Sequence, residues 1–339
     1  MYDILAREER KDLDYQTALD YCPTMLTQEF ALDELHADEE QLIFNDKPLK
    51  ATYDGWTALF KVLRIPPKYG FKVCPRDLLR ASINRLIQED KKTYCLVKRP
   101  TDDVLIGITK KAKSVVKNKD ILEGIPHPNR DSVKVNFSDA YMDFLSLIDE
   151  GVEARPGDVH KLGYYINGFE DGRLPVGGVG LYRMVCLNAL YEWLPESIFK
   201  FVRSQGLGLF VSQIFDDKRE QRIEYLQKTV RAVGESPVYI HQFTKSWRTI
   251  SKILGKIGAD EVLGVSEEER DLYTSQYRAW KKDGDPNEPI PLEIPIYDFL
   301  NSVTEIEKTL LPRDRTAVRK LGGELFQEMA ELVSVGVSK

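Results

Sequence analysis

Residues 180–190 read GLYRMVCLNAL, and Arg183 stands inside an otherwise apolar run. An arginine there has two uses. It pairs with a carboxylate inside the fold, or its planar fork grips two oxygens of a phosphate. An unpaired buried charge is too costly to persist, so a partner is required. Carboxylates are plentiful nearby: Asp139, Asp143, Asp149, Glu150, Glu153, Asp158, Glu170 and Asp171. Asp158 and Glu170 are the expected partners, and such pairing ranks above ligand binding. If 181–187 is a strand, alternation puts Leu181, Arg183, Val185 and Leu187 on one face. Asn167 and Asn188 bracket the stretch, so Asn167, Arg183 and Asn188 form the expected central polar cluster. The same carboxylates would hold a metal only if several oxygens converged. A solvated acidic face is the plainer expectation, and the metal question stays open.

A second chemistry rests on lysine. Residues 61–119 carry sixteen Lys/Arg against five Asp/Glu, whereas residues 1–40 carry three against twelve. The densest piece is KKAKSVVKNK at 110–119. Such a segment can track phosphates, with Lys98, Arg99, Lys110, Lys111, Lys113, Lys117 and Lys119 as the contacts and Tyr94 or nearby aromatics stacking on bases. The plainer alternative is that the acidic arm folds against the basic segment and neutralises it. The net charge of −6 argues against strong non-specific DNA affinity, although a local basic groove works within an acidic protein.

Catalytic motifs do not emerge. Gly255-Lys256 is followed by Ile257 and lacks the glycine spacing of a phosphate loop. Gly177-Gly178-Val179-Gly180 is glycine-rich but does not open a helix. The four histidines, His36, His127, His160 and His241, are isolated. No catalytic residue is therefore named, no cofactor is expected, and an enzyme is the less favoured reading. Cys22, Cys74, Cys95 and Cys186 are far apart and read as reduced thiols. The charged start lacks the apolar stretch of a secretory signal, and no run is long enough for a membrane helix. A cytoplasmic protein with no membrane partner is expected.

The elements that must position these groups follow from periodicity. Leu26–Leu35 suggests a short helix, and Asp46-Lys47 a turn. Trp56, Leu59, Phe60 and Leu63 lie at helical spacing, with Asp54 placed to cap them and Pro66-Pro67 to end the helix. A second helix is expected over about 75–88. Residues 93–99 and 103–110 read as a hairpin and 132–137 as a strand. Residues 140–150 fit either state. Residues 161–193 are the most strand-like, with turns at Asn167-Gly168 and Asp171-Gly172 and a break at 177–180. The last third is helical, with helices expected over 212–234, 237–257, 266–282 and 296–310. The expected fold class is α+β: an antiparallel strand-rich core at about 93–193, flanked by N-terminal helices and a helical C-terminal third. The expected domains are an acidic arm (1–40), a core (41–210) and a helical region (211–339).

At its centre the sequence resembles a known family. Lys161-Leu162-Gly163-Tyr164-Tyr165-Ile166-Asn167, followed by Leu181-Tyr182-Arg183-Met184-Val185-Cys186-Leu187-Asn188, is similar to the signature of the phage- and plasmid-borne proteins of domain-of-unknown-function family nine-three-two (DUF932). Gly55-Trp56 through Ile65-Pro66-Pro67-Lys68-Tyr69, and Ile296 through Thr304, resemble further elements of that family in the same order. The likeness covers about residues 45–325. Gly168 stands where the family usually has serine, Ala189 where it has glycine, and 109–113 lacks the family's tyrosine. The resemblance implies a mobile-element setting, viral or plasmid, near DNA-processing or anti-restriction functions. It implies no established activity.

Three functions are therefore expected in order. The first is a nucleic-acid-binding accessory protein acting on single-stranded DNA in replication, recombination or anti-defence. The second is an interaction protein that inhibits a host defence protein, binds phage proteins or assembles as a homo-oligomer. The third is a metal- or nucleotide-dependent enzyme centred near Arg183.

Overall fold

The computed structural model describes residues 4–38, 41–110, 115–126, 133–184, 188–190, 198–215, 219–235, 297, 300, 322–324 and 326–331. The fold is α+β. β1 (Ile4–Leu5) and β2 (Glu9–Leu13) precede α1 (Tyr15–Tyr21). The Asp14 carboxylate caps α1 by accepting the Thr17 backbone N–H at 2.9 Å. β3 (Leu26–Ala31) leads through one 3-10 turn to β4 (Leu35–Ala37), β5 (Leu42–Phe44) and β6 (Lys47–Leu49). Asn45 and Asp46, at φ of 51° and 59°, supply the left-handed pair that a two-residue hairpin needs between β5 and β6. β7 (Ala51–Thr52), α2 (Tyr53–Val62) and α3 (Arg76–Glu89) follow. Then come β8 (Thr93–Lys98), β9 (Leu105–Thr109), α4 (Asn118–Glu123) and β10 (Val133–Ser138). β11 (Tyr141–Arg155), β12 (Asp158–Phe169) and β13 (Val176–Arg183) are long. β14 (Asn188–Leu190), β15 (Ile198–Lys200), α5 (Leu207–Ile214) and α6 (Arg219–Glu235) complete the described elements. None of the described helices is long and apolar enough to cross a membrane.

One sheet has the order β1-β7-β9-β8-β3 and mixes parallel and antiparallel pairs. α2 and α3 cover one of its faces. Trp56, Leu59, Phe60, Leu79, Ile83 and Ile87 meet Leu96, Leu105 and Ile108 there. Strand alternation sends Val97 and Ile106 to the other face, against Met25, Ala140 and Val115. Gly55 permits the closeness of α2 and β9, because a Cβ there would strike the Leu105 carbonyl. A second sheet runs β14-β13-β12-β11-β10-β2, with β15 also on β13, and β4, β5 and β6 form a third. The chain divides into two compact units: the first comprises 1–146, 165–177 and 199–213, the second 147–164, 178–198 and 214–339.

Several local expectations change. Residues 26–31 form a strand because β8 offers a full antiparallel ladder, from Leu26↔Lys98 to Ala31↔Thr93, which outweighs helical spacing in so short a run. The described residues of the expected arm, 4–38, are built into the sheets. They supply strands to two sheets through β1, β2 and β3, and β4 to the third. The strand-rich region therefore begins near residue 4, not 93. Thr52, not Asp54, caps α2, accepting the Gly55 N–H at 3.2 Å, and Asp54 pairs with Arg7 at 2.6 Å. Asn167-Gly168 is not a turn but part of β12, and 177–180 is not a break but part of β13. Asp171-Gly172 does turn, with Gly172 at φ +93°. The helices expected over 237–257 and 266–282 lie outside the described residues. So does most of 296–310, where Tyr297 and Leu300 are helical and buried. Cys22, Cys74 and Cys95 are free thiols, and Cys186 lies outside the described residues.

Candidate nucleic-acid interface

The structure sorts the expected basic contacts sharply. Arg99 directly follows β8 and is only 5% exposed. Its Nε and Nη2 donate to the two oxygens of Asp102, both at 2.8 Å, and Nη1 donates to Asp139 Oδ1 at 3.1 Å. Glu8 stands 3.7 Å away. Arg99 is therefore an internal clamp between the β8–β9 turn, the β10–β11 turn and the N-terminal stretch, and not a phosphate contact. Burial raises the Asp139 carboxyl above the ordinary range despite the Arg99 bond. Lys98 is also occupied, with its amine 3.4 Å from Asp103. Tyr94 is buried, and its hydroxyl donates to Asp90 at 2.8 Å, so it does not stack on bases. Lys110, Lys117 and Lys119 are exposed. Lys111 and Lys113 lie outside the described residues.

The basic segment 61–119 is not one surface. Its first part belongs to α2 and α3 on one face of the sheet. The chain after β9 passes Val115, which packs with Val97 and Ile106 on the other face. The acidic N-terminal stretch meets the basic segment at particular pairs: Asp33 with Lys91 at 3.1 Å and Glu8 with Arg99. It leaves Lys61, Lys68 and Lys72 exposed and without an ion-pair partner among the described residues.

Those lysines frame the connection between α2 and α3. The chain leaves α2 by a tight turn in which the Ile65 N–H donates to the Phe60 carbonyl at 2.8 Å and the Arg64 N–H to the Lys61 carbonyl at 3.2 Å. Arg64 takes φ +58° there. This left-handed position favours glycine, and an arginine in it costs on the order of 1 kcal/mol. A π-helical turn over Tyr69–Val73 follows, closed by the Cys74 N–H on the Tyr69 carbonyl at 2.9 Å. Phe71 anchors it, stacked on Tyr53 at 4.5 Å and edge-on to Phe60 at 5.0 Å. Gly70 lies so close to the Phe60 ring that a Cβ would come within 2.6 Å. The turn is thus held firmly while Tyr69 stays 42% exposed, Val73 61% and Leu78 53%. The sequence marked this region as basic, but not which of its aromatics faces water. Phe71 and Tyr69 are two residues apart, and only packing separates anchor from display.

The central polar cluster divides. In the first unit, Asn167 is buried on β12 and its amide donates to the Tyr141 hydroxyl at 3.0 Å and Asp143 Oδ1 at 2.8 Å. Glu170, expected as a partner for Arg183, is fully buried and accepts the Met25 and Asn118 backbone N–H groups at 2.9 and 2.6 Å. Burial raises its carboxyl despite these bonds, and burial with Glu170 nearby pushes the Cys22 thiol up to about 12. Gly168 lies against the Asn118 side-chain oxygen, where a Cβ would collide. That contact leaves no room for a side chain at position 168.

In the second unit, Arg183 is half-buried at the end of β13 and not fully buried as its apolar neighbours predict, and its Nε donates to Asp158 Oδ1 at 2.6 Å. Asn188 is in backbone register with Arg183 across the β13–β14 pair. The Tyr297 hydroxyl donates to Asp158 Oδ2 at 2.8 Å and stands 3.3 Å from His160 Nε2. His160 Nδ1 lies 3.3 Å from the Asp158 carbonyl. Arg155 lies over the Tyr297 ring at 4.6 Å and donates from Nε to the Gly234 carbonyl at 3.1 Å. Burial alone would raise Asp158, but the Arg183 and Tyr297 bonds outweigh it and hold the carboxyl below its usual range. A neutral imidazole serves one of the two His160 contacts at a time. The cation would serve both, yet burial wins and pushes His160 down to about 4. Tyr297 lies 137 residues beyond His160, and no spacing rule links the two. Among the described residues, no three His, Cys, Asp or Glu side chains converge as a metal site. No protein-family model, no curated protein and no solved structure matches the chain.

Proposed function

We propose that this protein binds nucleic acid, single-stranded DNA above all, as an accessory protein of a phage or plasmid resembling family DUF932. The reading places it in the host cytoplasm, in replication, recombination or anti-defence. The observation that carries it is a set of exposed lysines that no carboxylate among the described residues holds in an ion pair. Lys61, Lys68, Lys72, Lys110, Lys117 and Lys119 face water with no ion-pair partner among the described residues. The N-terminal carboxylates Glu8, Asp12 and Asp33 are engaged with Arg99, Lys134 and Lys91. Uncompensated lysines neutralise phosphates and release counterions, which supplies affinity whatever the base sequence. An enzyme at Arg183 has less support, because Arg183 is bound to Asp158 and braces a buried cluster.

The test is fluorescence anisotropy of full-length protein with labelled oligothymidine across a salt series. Binding should weaken steeply with salt, by roughly 0.7 in log–log slope for each phosphate contact on a single strand. Replacing Lys61, Lys68, Lys72, Lys110, Lys117 and Lys119 together by alanine should abolish it while the circular dichroism spectrum stays unchanged. Absence of binding by folded wild-type protein at low salt overturns the proposal.

A further inference from the structure

We infer that the α2–α3 connection is the site where bases are held, with Tyr69 as the stacking platform and Lys61, Lys68 and Lys72 as the phosphate contacts. This rests on the nucleic-acid reading above and deepens it, because it selects one surface of the first unit and one form of ligand, an unpaired strand. Four observations converge. Residues 61–80 carry six Lys/Arg and one Asp. Lys68 and Lys72 are four apart, as are Tyr69 and Val73, so cations and apolar groups run side by side along the turn. Tyr69, Val73 and Leu78 remain exposed on a segment that Phe71 and Gly70 lock into the core. The segment is a π-helical turn entered through a left-handed arginine, two unfavourable local geometries in succession.

An exposed aromatic on a rigid turn, interleaved with uncompensated lysines, matches what a single strand presents. Phosphates need cations, and unpaired bases offer flat apolar faces. A duplex hides those faces and would use the lysines alone. The density of positive charge selects a polyanion over a neutral or basic partner.

The experiment compares oligothymidine with a duplex of equal length, and both with vesicles of phosphatidylserine and phosphatidylcholine, using full-length protein. Tyr69→Ala should weaken oligothymidine binding about tenfold and change duplex binding less than about twofold. Tyr69→Phe should restore the wild-type value, because the ring face does the stacking. Alanine at Lys61, Lys68 and Lys72 should weaken both nucleic acids and lower the single-strand salt slope by roughly 2. Thermal melts confirm that the exposed substitutions leave the fold intact. If oligothymidine binds but Tyr69→Ala binds as well as wild type, or affinity depends only on Lys110, Lys117 and Lys119, this inference fails while the proposed function stands. If vesicles bind and oligothymidine does not, both fail.

Discussion

His160 should make the second unit sensitive to mild acid. Its ring is fully buried between Asp158 and Tyr297, and burial lowers its pKa from 6.5 to about 4. The unfolded chain takes up the proton first as pH falls, at the ordinary imidazole value. Stability is therefore complete above pH ~6.5, falls between ~6.5 and ~4, and from this group falls no further once both states are protonated. The shift corresponds to about 3 kcal/mol at about 1.4 kcal/mol per unit. Other buried groups act in the same range or below it. Glu170 and Asp139 have raised carboxyls, so the folded state protonates first at these sites and gains stability as pH falls. Asp158 has a lowered carboxyl, so its stabilisation is lost as pH falls from the ordinary carboxylate value downward. A His160→Gln variant separates these effects, because the Glu170 and Asp139 contributions, which His160 does not influence, cancel in the difference between the two proteins. Urea unfolding followed by circular dichroism should show wild type losing about 3 kcal/mol relative to the variant between neutral pH and pH ~4. The His160 ring resonance should show no titration above pH ~5. A constant difference across pH, or a ring titrating near 6.5 in the folded protein, would refute the reasoning.

Arg99→Met should destabilise the first unit by about 3–5 kcal/mol, since it leaves Asp139 buried without its counter-charge. Denaturant midpoints measure that cost, and the oligothymidine affinity of the protein that remains folded should be unchanged. Gly168→Ser should cost about 1–3 kcal/mol through the clash with the Asn118 side chain. Asn118→Ala in the same chain should recover part of that loss, a coupling that a double-mutant cycle reads directly.

Some of this was legible from residue patterns. The α2 and α3 helices follow from apolar spacing and Pro75, and the β8–β9 hairpin from two β-branched runs about a Pro100-Thr101-Asp102 turn. The need for a partner at Arg183, which the structure leaves half-buried, follows from the cost of drawing a charge out of water, and Asp158 is one of the two carboxylates expected for it. Other features were not legible. Leu26–Ala31 has apolar residues at both helical and strand positions, and only the ladder with β8 chooses between them. Arg99 and Lys110 look alike as basic residues at strand ends, yet one is clamped by Asp102 and Asp139 and the other faces water. Asn167-Gly168 has the composition of a turn but sits in a strand, where Gly168 makes room for Asn118.

The sequence by itself determined the α+β class, the excess of positive charge between 61 and 119, and the requirement that Arg183 be paired. Each follows from local periodicity, from composition, or from the energy of a charge removed from water. The tertiary structure alone decided which cations stay free, which aromatic is displayed, and that Tyr297 closes the cluster around Asp158 and His160. Those outcomes depend on contacts between residues far apart in the chain, and such contacts leave no periodic trace in the sequence that makes them.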